Sequence, residues 1–227
     1  MQKYRPFLII AVVLVVAIIG AVFLWQSGRQ DDPFPVAQTP TPVPATSPQP
    51  IGPRQLPANA VVTLEEFGDY QCPPCGVLHP TLKKYKQELG PNLNFIFRNL
   101  PLSTLHKNAL AAAQAAEAAR VQDRFWEMHD FLYENQEIWG EDINPRAIFV
   151  KFAADLGLDM KRFERDMDDK QVLLRIEADR QAAAELGINS TPTILIDGRR
   201  LLPENTNPEG IRKGIEYMMS QKLSSAP

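Results

Sequence analysis

Both cysteines of this 227-residue sequence fall in one short stretch, Gly68-Asp69-Tyr70-Gln71-Cys72-Pro73-Pro74-Cys75-Gly76. Two thiols at this spacing admit three chemistries. As a structural staple, a disulfide closing so small a loop stabilises a fold by only about 2 kcal/mol on the loop-entropy account, against roughly 3 for a fifteen-residue loop, before strain is subtracted. As a zinc site the pair needs further ligands; His79, His106 and His129 are present, but there is no second Cys pair and no C-x-x-C…H-x-x-x-H spacing. Thiol–disulfide exchange asks for one thiol of lowered pKa and a second near enough to attack a mixed disulfide before it persists. The pattern favours exchange. No metal is expected, and no cofactor beyond a redox-active Cys72–Cys75 disulfide.

Exchange of this kind needs a rigid turn at a helix start. Val61-Val62-Thr63-Leu64-Glu65-Glu66-Phe67 is β-branched and apolar and reads as a strand ending at Gly68. After Cys75, Leu78, Leu82, Tyr85 and Leu89 recur at helical spacing until Gly90-Pro91 stops them. Both cysteines therefore sit at a helix N-terminus, whose partial positive charge favours Cys72 as thiolate, while Cys75, one turn in, is the more enclosed resolving thiol. Pro73 and Pro74 stiffen the turn but supply no N–H, so the Cys75 N–H is the donor that counts. Leu93 to Arg98 alternates as a second strand, giving a right-handed βαβ unit.

From Ser103 to about Leu186 the spacing turns helical: Leu105 to Val121, Asp123 to Asn135, Pro145 to Leu156, and Met160 to Leu186 in one or two pieces. The aromatic group Phe125, Trp126, Phe131 and Tyr133 reads as core of this insertion, and His79, His106 and His129 as plain residues of helix faces. Strand signal returns at Thr193 to Ile196, turns at Asp197-Gly198, and runs on from Arg199 to Leu202. Asn207-Pro208 opens a last helix carrying Ile211, Ile215, Met218 and Met219.

Phe7 to Trp25 is nineteen residues without a charge, which as a helix spans roughly 29 Å, the thickness of a bilayer's hydrocarbon. Its length and the lack of a small-residue cleavage site favour a retained anchor over 7–26 rather than a removed signal. Lys3 and Arg5 place the tail 1–6 in the cytoplasm and everything beyond the span outside it. Nine of the chain's twenty prolines lie between Gly28 and Pro57, so 27–57 reads as an extended linker contributing nothing to a core. That leaves one domain over 58–223, with its helical insertion about 103–186. A net charge of −3 argues against a nucleic-acid partner.

On EEFGDYQCPPC at the first strand's end, NSTPTILIDG far downstream and helices between them, residues 58–223 resemble the membrane-anchored, DsbA-like thiol-disulfide oxidoreductases of the thioredoxin-fold superfamily. The resemblance implies an α/β thioredoxin-like fold, a central mixed β-sheet flanked by helices, with an inserted all-helical subdomain. It implies that Pro192 is the family's cis-proline opposite the cysteines, that Thr191 before it pairs its backbone with an extended substrate, that Glu66 is a buried carboxylate relaying protons with Cys75, and that Pro80 kinks the active-site helix. The residues alone also admit Glu66 facing solvent and an ordinary trans turn at Thr191-Pro192. The chain departs from the pattern at Pro74, where well-known oxidants carry a histidine donating toward the thiolate. A less stabilised thiolate places the potential between about −120 mV, a strong periplasmic oxidant, and about −270 mV, thioredoxin.

The expected activity is an oxidase at the cell membrane, single-pass with its catalytic domain outside the cytoplasm, placing disulfides in cysteine-containing secreted or membrane proteins and reoxidised by a quinone-linked membrane thiol oxidase. A reductase or isomerase kept reduced by a membrane electron carrier is the alternative within enzymes. A non-redox peptide-binding chaperone module is the alternative outside them.

Overall fold

The strand before the cysteines runs Val62–Gly68 (β1) and occupies the middle of the sheet: it pairs parallel with Leu93–Asn99 (β2) and antiparallel with Thr193–Ile196 (β3), which pairs in turn with Arg199–Arg200 (β4). The order β2-β1-β3-β4 is mixed. A computed structural model describes residues 18–20, 34 and 61–225 of the chain. The expected anchor over 7–26 falls outside these apart from 18–20, which are helical and exposed, and no helix among the described residues is long and apolar enough to cross a membrane.

Helix α1, Pro73–Leu89, returns the chain from β1 to β2. The insertion then supplies α2 (Ala109–Arg120), α3 (Phe125–Glu134), the short α4 (Gln136–Trp139), α5 (Pro145–Asp155), α6 (Met160–Met167) and α7 (Lys170–Glu185). Alanines line most of α2, and their small side chains let α3, α5, α6 and α7 all pack against it. The stretch from Met160 forms two helices because Asp169 caps a new one, accepting from Gln171 N at 2.7 Å. The β3–β4 turn has φ of 47° at Asp197 and 78° at Gly198, the double positive φ of a type I′ hairpin. Helix α8, Pro208–Ser225, starts from an Asn207 whose Oδ1 accepts from Gly210 N at 3.0 Å.

Two sequence expectations are corrected in their boundaries. The first insertion helix begins at Ala109 rather than Leu105, because the backbone N–H groups of Leu102 and Asn108 are held by the side chains of Asp69 and Gln71 instead of entering a helix. Strand β4 is two residues rather than four, since Pro203 opens a 3₁₀ turn immediately beyond.

One core joins α1 and α8 to one side of the sheet through Leu64, Leu78, Leu82, Ile194, Ile211 and Ile215. Phe34 belongs to it, 3% exposed, 6.0 Å from the Tyr217 ring and 4.3 Å from the Arg199 guanidinium. The expectation that 27–57 gives nothing to a core fails at this residue. A second core fills the insertion and includes Tyr70, Cys72, Cys75 and Phe97, so the helical subdomain roofs the cysteines. Gly68 permits that roof to close, because a Cβ there would run into the Phe97 ring and stand 3.0 Å from the Tyr133 hydroxyl.

Candidate active site

Cys72 is the N-cap of α1, in extended conformation, and Pro73 and Pro74 take the next two positions. Their missing N–H groups cost the helix nothing, since the first turn's donors have no helical acceptor. The first amides available are those of Cys75 and Gly76, and Gly76 N donates to Cys72 O at 3.1 Å. Both cysteines are free thiols; Cys72 is 5% and Cys75 0% exposed.

The two thiols are driven apart in acidity. Cys72 is pulled down to about 6: a hydrogen bond from the Cys75 thiol leads, burial opposes it, Thr191 and the Cys75 N–H add to the lowering, and the Asp69 carboxylate works against it. Cys75 is pushed well above the ordinary thiol range by its own burial, then by its hydrogen bond to Cys72 and by Glu66. The helix terminus reaches the sulfur through the Cys75 amide, alongside the hydrogen bond from the neighbouring thiol. As a thiol, Cys72 donates to the Thr191 carbonyl at 3.4 Å.

Glu66 lies on β1 with neighbours Phe97 and Ile194 on the flanking strands. It is 1% exposed, its Oε1 has no hydrogen-bond partner, and burial, aided by the Cys72 charge, raises it to about 8. The alternative of a solvent-facing Glu66 is excluded by its position in the central strand. The Thr191–Pro192 bond is cis and leads into β3. Pro80 sits inside α1, where it leaves the Gly76 carbonyl without a helical donor. A groove of about 710 Å³ runs beside Cys72, walled by Pro73, Pro74 and Val77 on one side and Thr191, Pro192 and Leu201 on the other.

Several residues around the turn carry no assignment from the sequence. The Asp69 carboxylate, wholly buried, accepts from Gln71 N at 2.7 Å and Leu102 N at 2.8 Å, and pairs with His106 Nδ1 at 2.8 Å, while its carbonyl accepts from Cys72 N at 3.1 Å. Gln71 bonds Asn108 N and the Gly140 carbonyl, and Gln136 Nε2 donates to the carbonyls of Tyr70 at 2.7 Å and Cys72 at 3.0 Å. The insertion thus fastens the cysteine turn through its backbone. The three histidines are corrected as well: His106 precedes a helix and stands on Asp69, while His79 and His129 are buried and 5.2 Å apart, centre to centre. The polar run Asp69-Tyr70-Gln71 before the cysteines was the available signal, but its partners in the insertion are 33 to 70 positions distant.

A four-stranded mixed sheet, a Cys-X-X-Cys pair capping its first helix and a cis-proline facing that pair define a thioredoxin-fold protein with a dithiol centre. The chain belongs to the thioredoxin family, whose profile, described as Thioredoxin, matches residues 57–217. Its fold is similar to BdbD from Bacillus subtilis at 24% identity and a TM-score of 0.63, covering 76% of this chain and 93% of that one. It is also similar to the oxidoreductase DsbA from Xylella fastidiosa, at 20% identity and TM-score 0.61 over 78% and 92% of the two chains. Among curated proteins it matches one named Na(+)/H(+) antiporter NhaA 1 from Salinispora arenicola, 39% identical over 149 residues, which are 66% of this chain and 21% of that protein. A protein of the same name from a Mycobacterium species is 30% identical over 194 residues, 83% of this chain and 30% of that protein. The chain spans between a fifth and a third of the length of these two relatives.

Proposed function

We propose that this chain is a thiol-disulfide oxidoreductase acting outside the cytoplasm as an oxidase, held to the membrane by the apolar segment 7–26. A substrate thiolate attacks Cys72 Sγ of the Cys72–Cys75 disulfide; the S–S bond breaks, and Cys75 leaves with the electron pair and takes a proton, for which Glu66, near 8, is the adjacent carrier. The substrate's second thiolate then attacks its own sulfur in the mixed disulfide, and Cys72 departs as a thiolate. The substrate has lost two electrons and the enzyme holds two thiols, which a quinone-linked membrane oxidase returns to the disulfide.

The observation that carries this reading is the split between the thiols, Cys72 at about 6 against a Cys75 well above the ordinary range. A low-pKa thiol is the better leaving group, so the step that frees Cys72 favours oxidation of the substrate. The groove along Pro192 offers an extended, cysteine-bearing peptide an apolar bed beside that sulfur. Ion exchange is not carried over from the relatives, of which the chain matches the smaller part.

Equilibration with glutathione tests the direction. A potential less negative than about −250 mV is expected, and a more negative one replaces the oxidase with the reductase or isomerase reading. Cys75→Ala is expected to accumulate mixed disulfides with extracytoplasmic proteins. Protection of peptide clients that survives Cys72→Ser, with no mixed disulfides from Cys75→Ala, would leave only the chaperone module.

A further inference from the structure

His79, four residues along α1 from Cys75, meets His129 and Asp130 on α3 where the two helices pack. One ring nitrogen of each histidine and a carboxylate oxygen of Asp130 all lie within 4.8 Å of one another. His79 Nε2 and Asp130 Oδ1 are 3.5 Å apart, close to the roughly 3.3 Å edge of a tetrahedron built on zinc–ligand bonds of about 2.0–2.1 Å. His79 is 4% exposed and its Nε2 is buried with no hydrogen-bond partner, an arrangement that native interiors seldom keep without a reason. His129, 2% exposed, pairs Nδ1 with the Tyr70 hydroxyl at 3.0 Å. An outer bond of that kind orients a metal-binding imidazole and leaves its other nitrogen to ligate. Burial favours both rings in the neutral form, which carries the needed lone pair.

We propose that His79, His129 and Asp130 form a divalent transition-metal site of the zinc type, with its remaining position open to the cavity of about 220 Å³ that these residues line. Two imidazoles and one carboxylate suit zinc or cobalt, whereas calcium and magnesium take oxygen ligands. The neighbouring cations leave room for it. Lys83 Nζ holds Asp130 through Oδ2 at 2.9 Å and Glu134 at 2.7 Å, so Oδ1 stays available, and Lys86 Nζ rests 3.4 Å over the Trp126 ring. The site uses neither cysteine. It joins the helix that Cys72 caps to the insertion that roofs it, so bound metal braces the two.

The test is cobalt titration of the full-length, untagged chain with Cys72–Cys75 oxidised, so that no thiolate competes. One equivalent is expected to bind with the visible absorption of four- or five-coordinate cobalt and to be displaced by zinc. His79→Gln and Asp130→Asn are each expected to weaken binding at least tenfold, and Tyr70→Phe, which touches only the outer bond, by about ten- to a hundredfold. Failure of the oxidised wild-type chain to take up one equivalent at tens of micromolar metal overturns the site, whether or not any variant folds. A cobalt signal that persists in both His79→Gln and Asp130→Asn overturns the ligand assignment.

Discussion

Cys72 and Glu66 are both perturbed groups of one site, and they are perturbed in opposite senses for different reasons. Cys72 has donors aimed at its sulfur; Glu66 has only a low-dielectric strand interior and a nearby negative charge. The folded-state pKa of Glu66 is raised from 4.5 to about 8. Its contribution is therefore neutral below pH 4.5 and becomes a growing cost as pH rises toward 8, reaching on the order of 5 kcal/mol if the whole shift is realised. Glu66→Gln keeps the shape and removes the titration. Urea unfolding of the reduced protein is expected to show the variant and wild type alike at pH 4.5, and the variant more stable by several kcal/mol at pH 8. The same substitution is expected to slow proton transfer to Cys75 and flatten the pH dependence of exchange between 6 and 8. Equal stabilities at pH 8 would mean that Glu66 is hydrated or paired in solution.

At the scale of elements, what could be read in advance is what is local. The βαβ unit, the helix beginning at the cysteines and the Asp197-Gly198 turn follow from periodicity and turn chemistry within a few residues. The ties that fix one element on another were not legible, because their partners are far apart in the chain. Arg98 on β2 pairs with Glu65 on β1 and with Asp179 on α7, the latter at 3.2 Å. The same Asp179 accepts from Asn99 N at 3.0 Å, and Glu117 on α2 gathers Asn99, Arg120 and Arg175. Glu65, beside Glu66 in a strand, gives no local sign that it faces a buried arginine. Nor does Phe34, a single aromatic in a proline-rich stretch, show by itself that it has a core to enter. Breaking such a buried network from one side strands a charge. Asp179→Leu is expected to cost about 3–5 kcal/mol in urea unfolding. By contrast Arg146→Ala, which removes an exposed pair with Asp168, is expected to cost no more than about 1 kcal/mol. Similar losses in the two variants would show that the buried network does not hold α7 to the sheet.

For the molecule as a whole, the acidity of one sulfur becomes a difference in stability between two redox forms. Only the dithiol form has a Cys72 to ionise, and its folded pKa of about 6 lies below the ordinary value of 9. A group depressed on folding contributes its stability above its unfolded pKa and loses it as pH falls through the folded one. The reduced protein therefore gains on the oxidised protein as pH climbs from about 6 to about 9, and below 6 the difference is flat. Cys75 also titrates only in the dithiol form, but its pKa is raised on folding, so it takes stability from that form only as pH passes the ordinary thiol value at the top of the window. The remaining titrations are common to both forms and largely cancel, except for the part of the Glu66 shift that Cys72 supplies. By the thermodynamic cycle that links folding to reduction, a reduced form favoured at neutral pH makes the disulfide the stronger oxidant, which is the property an oxidase needs. Urea unfolding of both forms at intervals from pH 5 to 9 is expected to give a gap that widens in favour of the dithiol form across that window. A gap independent of pH would mean that Cys72 gains no acidity from the fold, and the leaving-group argument for oxidation would fall with it.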